Sequence, residues 1–478
     1  MAEHAGRQKA RGRPGRAGSQ RGRVVHDRAR RLALDVLLAV AGRDAYANLL
    51  LPELLRQRGL SGRDAALATE LTYGTLRGRG SYDAVLAICC DRELAALDPV
   101  VREVLRLGSH QLLATRVGPH AAVTTSVDLV REVAGQRPAG FVNAVLRRVA
   151  TRDLAAWLEI AAPDREQDPA GSLAVRYSHP RWIVEAVAQA LGEPQAGALA
   201  ETEEVLAADN ERPQVHVCAV PGLASQQELI GAGCVPARWS PYGAYLPAGD
   251  PAGLAAVLAG RAGVQDEASQ LAALALSRVP AGNGPDDRWL DLCAGPGGKA
   301  RLLAGLARPR ARLLAAERRE HRARLVRAAT TVTGTCGVAV ADGRLPAWQP
   351  GIFSRVLADV PCSGLGALRR RPEARWRRSP ADIPGLGLLQ RDLLATALQA
   401  ARPGGVVAYV TCSPHVAETR EVVAAALASA PRTEVLDAPA VLADVPDLRC
   451  PEPYQRFAQF WPHRHGTDAM FVALLRRG

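Results

Sequence analysis

The sequence predicts a multidomain protein in three parts. These are an all-α helical bundle, a small α+β module, and a larger α/β domain on a doubly wound parallel sheet. Three observations carry this reading. Apolar residues recur at helical spacing almost without a break from Val24 to about Ala150. A stretch of mixed helical and alternating pattern follows. From Gly263 short apolar runs alternate with helical segments, the rhythm of parallel strands joined by crossover helices. At 478 residues the chain exceeds one ordinary domain, and its 48% hydrophobic content suffices for several cores.

Residues 1–23, with R-G-R-P-G-R and Q-R-G-R, read as a disordered basic arm. They hold no apolar stretch and so do not read as a secretion signal. No segment approaches twenty uninterrupted apolar residues, so no membrane span is expected, and cytoplasm is the expected location. The nine cysteines include no C-x-x-C pair, which argues against a structural zinc site and a disulfide framework. No metal is expected, and a monomer is. The formal charge of +12 and pI near 9.7 favour a polyanionic partner such as nucleic acid, although arginine-rich composition alone gives the same balance.

Residues 24–160 form the helical domain. Candidate helices are 30–38, 67–76, 100–113, 124–133 and 141–149, separated by Gly59-Leu60-Ser61-Gly62, Asp98-Pro99 and Gly118-Pro119. Nothing in this part has catalytic character, and Cys89-Cys90 read as buried hydrophobes. Residues 161–171 (A-A-P-D-R-E-Q-D-P-A-G) read as a polar linker. The α+β module, 172–262, has helical patterns at 182–191 and 225–231, an alternating strand at 214–220 and a closing segment at 254–258.

Residues 263–478 form the α/β domain, with candidate strands at 288–292, 312–316, 337–341, 352–358, 405–411, 433–436 and 469–475. Ligands of such sheets sit beyond the strands' carboxyl ends, where the notable residues fall. After the first strand come Cys293, Ala294, Gly295, Pro296, Gly297, Gly298 and Lys299, a turn that lets backbone approach a ligand and aims helix N–H groups at it. Glu317 ends the second strand about 20 residues later, where a carboxylate takes a ribose diol. All but two of the 60 Lys and Arg residues are arginine, and the one lysine outside the basic arm is Lys299.

Asp342 follows the third strand. Asp359 and Cys362 follow the fourth in D-V-P-C-S-G, and Cys412 follows the fifth in T-C-S-P. Two thiols and a carboxyl at neighbouring strand ends suit methylation of cytosine at carbon 5. That carbon becomes nucleophilic only after a thiolate adds at carbon 6, and a carboxyl near ring nitrogen 3 stabilises the charge that develops. Between the cysteines, Arg369, Arg370, Arg371, Arg375 and Trp376 lie in R-R-R-P-E-A-R-W-R-R. This reads as a phosphate-gripping, base-stacking RNA loop, or as a solvated connector.

The motifs D-L-C-A-G-P-G-G-K, D-V-P-C-S-G, T-C-S-P and P-H-R-H-G-T-D-A-M-F resemble those of the RNA 5-methylcytosine methyltransferases. V-Q-D-E-A-S-Q (264–270) and R-Y-S-H-P-R-W (176–182) do so as well. E-L-T-Y-G-T-L-R (70–77) and F-V-N-A-V-L-R-R (141–148) resemble a NusB-like domain. The combination resembles the RsmB branch, also called Sun or Fmu, over about residues 25–478. The resemblance implies a Rossmann-like catalytic domain, S-adenosyl-L-methionine as methyl donor and a cytosine of bacterial 16S ribosomal RNA as substrate, with the RNA met either free or within a small-subunit precursor. It implies that Cys293–Lys299 hold the amino-acid part of the cofactor, Glu317 its ribose, Asp342 its adenine end, and that Asp359 meets cofactor and base. It assigns the nucleophile to Cys412 and product release to Cys362. Two departures stand out: Ala300 replaces a hydroxyl residue, and Ala469-Met470 replace Gly-Phe. A cytosine of transfer RNA or of another ribosomal RNA, a catalytically idle RNA-binding assembly factor, and a nucleotide oxidoreductase remain as alternatives, the last giving the cysteines no role.

Overall fold

The computed structural model describes residues 27–43, 45–194 and 199–478, so the basic arm at 1–23 lies outside the described residues. The first part is helical: α1 (Arg28–Gly42), α2 (Ala47–Gln57), α3 (Gly62–Cys89), α4 (Pro99–Ala114), α5 (Pro119–Ala134), α6 (Ala139–Val149) and α7 (Leu154–Ala161). Local signals set their starts. Asp98 caps α4 by accepting the Val100 N–H at 2.8 Å, with Pro99 in the first turn, and Pro119 opens α5. Leu32, Val36, Leu71, Val104, Leu105 and Leu146 close one core, which also buries Cys89 and Cys90. Helix α2 escapes the sequence pattern because Pro52 interrupts its leucine run.

The stretch read as a linker is shorter than expected. Helix α8 (Pro169–Arg176) begins inside it, capped by Asp168, whose carboxylate accepts the Gly171 N–H at 3.0 Å. After α9 (Arg181–Leu191) and α10 (Ala200–Asp209) comes a small antiparallel sheet. Its strands are β1 (Val215–Ala219), β2 (Val235–Pro236), β3 (Gly243–Leu246) and β4 (Ala262–Val264), in the order β2-β3-β1-β4. Helix α11 (Gln226–Gly231) and the short α12 (Ala255–Leu258) complete the module.

Helix α13 (Glu267–Arg278) leads into the large sheet. Its elements are β5 (Arg288–Asp291), α14 (Gly298–Ala307), β6 (Arg312–Glu317), α15 (Glu320–Thr330), β7 (Cys336–Val340), β8 (Phe353–Asp359), α16 (Ile383–Ala400), β9 (Ala401–Thr411), α17 (Arg420–Ser429), β10 (Glu434–Leu436), β11 (Ala458–Gln459) and β12 (Phe471–Arg476). The order is β10-β12-β9-β8-β5-β6-β7, with β11 paired to β12. Side chains alternate across the sheet. Trp289, Leu313, Leu357 and Ala408 pack in the core with α13 and α14, while Leu290, Val356, Ala358 and Tyr409 pack with α16 and α17.

The sheet is mixed rather than wholly parallel. Strands β5 to β9 are parallel, but β12 runs antiparallel between β9 and β10. Burial hides this from the sequence, because Phe471 to Leu475 are covered on both faces and read as an unbroken apolar run in either direction. Strand order reverses at β5, which has β6 on one side and β8 on the other. The glycine turn leaves the sheet at this switch point.

Candidate active site

The glycine turn is held from both sides. The Leu292 N–H donates to Leu357 O at 2.9 Å, and the Ala294 N–H donates to Ala316 O at 2.9 Å. Gly297 has φ +107°, open only to glycine at low strain, and it starts α14. A Cβ on Gly295 would lie 2.1 Å from Glu317 Oε2, so the turn sits directly on the carboxylate that ends β6. Glu317 also accepts the Arg319 N–H at 2.9 Å, and Arg322 reaches Gly295 O at 2.6 Å.

Below the turn Asp291 is wholly buried, and among the described residues its carboxyl meets no side-chain donor, only the backbone N–H of Cys293 beside it. Burial, with the Asp359 charge beside it, pushes this carboxyl up to about 7. A buried carboxyl short of donors, a cradle without side chains and the N–H groups of the ten-residue α14 suit a ligand with an ammonium, a carboxylate and a diol. The residues therefore fit adenosylmethionine. Gly295→Ala is expected to weaken its binding at least about tenfold in calorimetry, since a buried clash exceeds the ~1.4 kcal/mol that tenfold represents. Unchanged affinity would place the cofactor elsewhere.

Asp342, beyond β7, is gripped by Arg344 through N at 3.0 Å and Nη2 at 2.8 Å. The side-chain and backbone hydrogen bonds from Arg344 hold its carboxyl down at about 2. Burial, and after it nearby carboxylates, raise the Cys293 thiol well above the ordinary range, so it stays protonated.

Lys299 joins this turn to the next strand end. Its Nζ lies 2.8 Å from Asp359 Oδ2. Burial works against the ammonium, but the Asp359 carboxylate overrides it and holds Lys299 above the ordinary lysine range. On the far side of Asp359, Cys362 Sγ and Cys412 Sγ lie 3.2 Å apart, both free thiols, beyond the ~2.05 Å of a disulfide. The Cys362 hydrogen bond, and Lys299 after it, lower the Cys412 thiol against burial and the Asp359 charge. Cys362 moves up for the complementary reason, its bond to Cys412 and its burial.

The two departures from the family pattern are accommodated. Ala300 is buried in α14 against the core. Gly366 donates to Cys412 O at 2.9 Å and accepts the Ala469 N–H at 2.8 Å, which seats the last motif against the cysteine loop, while Met470 is buried in the main core.

The arginine-rich loop is largely not the RNA surface that its composition suggests. Arg375 is fully buried, donating to Arg77 O, Ser178 O, Asn210 Oδ1 and Asp209 O at 2.8–3.1 Å. Trp376 lies against Gly80, with Arg79 5.2 Å over its ring. Arg369 is buried and donates to Gly466 O at 2.8 Å. A guanidinium that binds carbonyls in the interior cannot also grip phosphate. Arg371 is exposed beside Tyr46. Arg370 is half-buried, and its Nε donates to Asp468 Oδ1 at 2.9 Å.

Sequence reasoning missed Asp468 and Glu418, both buried beside the cysteine loops. Asp468 lies within the final motif, whereas Glu418 was not legible, because two of its partners, Ser363 and Gln390, are distant in sequence.

A family model described as 16S rRNA methyltransferase RsmB/F matches residues 282–476, and one described as NusB family matches residues 27–151. Rv1407 of Mycobacterium tuberculosis, named only as a methyltransferase, is 53% identical over 94% of this chain and 97% of its own length. Ribosomal RNA small subunit methyltransferase B of Pseudomonas putida is 33% identical over 93% of this chain and 97% of its own. The crystal structure of PH0851 shares the fold, with a TM-score of 0.75 and 22% identity, covering 94% of this chain and 99% of that one. With its NusB-type helical domain and its methyltransferase sheet, the chain belongs to the RsmB/Sun family of S-adenosylmethionine-dependent ribosomal RNA methyltransferases.

Proposed function

We propose that the protein methylates carbon 5 of a cytosine in 16S ribosomal RNA through a covalent cysteine–cytosine adduct. The observation that carries this reading is the pair of thiols 3.2 Å apart beside Asp359, which Lys299 ties to the cofactor turn. Cys412, the cysteine of T-C-S-P, takes the role of nucleophile by resemblance to the family, and the Lys299 ammonium that acts on it favours its thiolate. Its sulfur bonds to carbon 6 and the electron pair moves to carbon 5, while Asp359 meets ring nitrogen 3. Bound adenosylmethionine supplies the electrophilic methyl group. Loss of the carbon 5 proton then returns the electron pair, breaks the S–C6 bond and frees Cys412, with Cys362 serving release. In this reading Glu317 holds the ribose and Asp342 the adenine end of the cofactor. Arg370 and Arg371 are the candidates for RNA contact. The chemistry also requires the target base to leave its stack.

The 16S assignment is supported by the names of the relatives. Bisulfite sequencing of ribosomal and transfer RNA, from cells with and without the gene, tests it. Loss of one 16S cytosine signal is expected. If that signal survives and a transfer RNA cytosine loses its mark, the chemistry stands and the substrate assignment falls.

A further inference from the structure

We propose that Glu418 is a positioning residue that sets the two thiols in unequal roles, holding Cys362 as the proton-bearing partner and leaving Cys412 to attack. The roles named here rest on the cytosine reading above, while the hold of Glu418 on both cysteine loops rests on geometry. Glu418 lies on a single turn of 3₁₀ helix (Val416–Glu418), just after T-C-S-P, and its side chain is wholly buried. Oε1 accepts the Ser363 N–H at 2.7 Å and the Gln390 side-chain amide at 3.0 Å. Oε2 accepts the Ser413 hydroxyl at 2.6 Å and the Ser363 hydroxyl. Each serine is the residue that follows one of the two cysteines. Gln390, from α16, also donates to Pro361 O at 2.9 Å, the residue before Cys362. Tyr409 OH donates to the Glu418 carbonyl at 2.7 Å. One carboxylate thus fixes both cysteine loops.

Its charge is placed asymmetrically. Among the described residues no arginine, lysine or histidine forms an ion pair with Glu418; its hydrogen-bond partners are neutral dipoles, and His415, which Glu418 acts on, is itself held below the ordinary histidine range by burial. The groups that act on Cys412 are Cys362, Asp359, Lys299 and Asp468, with Arg370 paired to Asp468. Those that act on Cys362 are Cys412 and Glu418, which raise its thiol, and the Gly364 N–H, which lowers it, with Tyr409 nearby. Glu418 is thus bound more closely to the Cys362 loop, through the Ser363 N–H and hydroxyl and through Gln390, than to the Cys412 loop, through Ser413 alone, whereas Lys299 supplies a cation that acts on Cys412. A negative charge disfavours a thiolate and a positive one favours it. Both act toward the same division of labour.

The test is alkylation of the protein alone by iodoacetamide across a pH series, with Cys362 and Cys412 followed separately by peptide mass spectrometry. In the native protein Cys412 is expected to react with the lower pH midpoint. Glu418→Gln keeps the volume and one acceptor oxygen while removing the charge. It is expected to lower the Cys362 midpoint by about one pH unit, so that the two profiles converge. Glu418→Asp, which keeps the charge, is expected to restore the separation. A folded Glu418→Gln protein with unchanged separation overturns the proposal and leaves Glu418 as a clamp. The measurement uses no RNA, so it stands or falls separately from the cytosine assignment. Normal thiol profiles with no 16S modification would overturn that assignment and leave this inference intact.

Discussion

Cys412→Ala is expected to lose turnover by about four orders of magnitude or more, and to form no denaturation-resistant complex with RNA. Without a sulfur at position 412 nothing adds to carbon 6, and carbon 5 remains too poor a nucleophile to take a methyl group. Cys362→Ala has a different expected outcome. Attack by Cys412 persists while release fails, so protein–RNA adduct accumulates and appears as a slow band on a denaturing gel. The 3.2 Å separation makes the comparison informative, because either sulfur is near enough to reach the same ring. If Cys412→Ala still traps RNA and Cys362→Ala is inert, the two roles are reversed. The adduct experiment reads the chemistry, and bisulfite sequencing reads the substrate.

The second large effect is on stability. Arg375→Ala is expected to cost roughly 3–5 kcal/mol, the range for breaking a buried, hydrogen-bonded charge network. The Arg375 guanidinium donates to Arg77 O on α3, to Ser178 O before α9, and to Asp209 O and Asn210 Oδ1 at the end of α10. Truncation leaves all four acceptors inside a protein cavity without their donor. It also removes the cation that most opposes the effect of burial on Asp209, whose carboxyl stands at about 7. For a chain of this size the melting temperature should fall by several degrees, on the order of 5–10 °C, in differential scanning fluorimetry. A fall of less than about 2 °C would show that the loop is not a clasp.

The sequence carried the large sheet and the catalytic strand ends well, for identifiable reasons. Strands β5, β6, β7 and β8 fall within a residue or so of the apolar runs at 288–292, 312–316, 337–341 and 352–358, since each is short, buried and bounded by a turn. Cys362, Cys412, Asp359 and Lys299 stand in a recognisable motif, and the fold brings them to one edge. What stayed hidden depends on direction or on partners far along the chain. The antiparallel course of β12 is invisible in a run buried on both faces. The burial of Arg375 is equally invisible, because six arginines around a tryptophan read alike whether they meet phosphate or carbonyl oxygen. The bridge made by Glu418 was hidden as well, since Ser413 is near it in sequence but Ser363 and Gln390 lie 55 and 28 residues away.

The segment 371–378 reaches from the edge of the catalytic pocket into the front of the molecule. Glu373 accepts the Ala47 N–H at 3.2 Å, Arg377 donates to Ala45 O, and Trp376 fills the space over Gly80. This makes the helical domain part of what shapes the catalytic loop, rather than a passenger joined by a tether. A catalytic half produced alone would carry a bare tryptophan, a carboxylate and a guanidinium with nothing to bind. Exchanging the front domain for another would require rewriting the loop between the cysteines as well. The two domains are thus interchangeable only as a matched pair, and change in one constrains the other across the evolution of the chain.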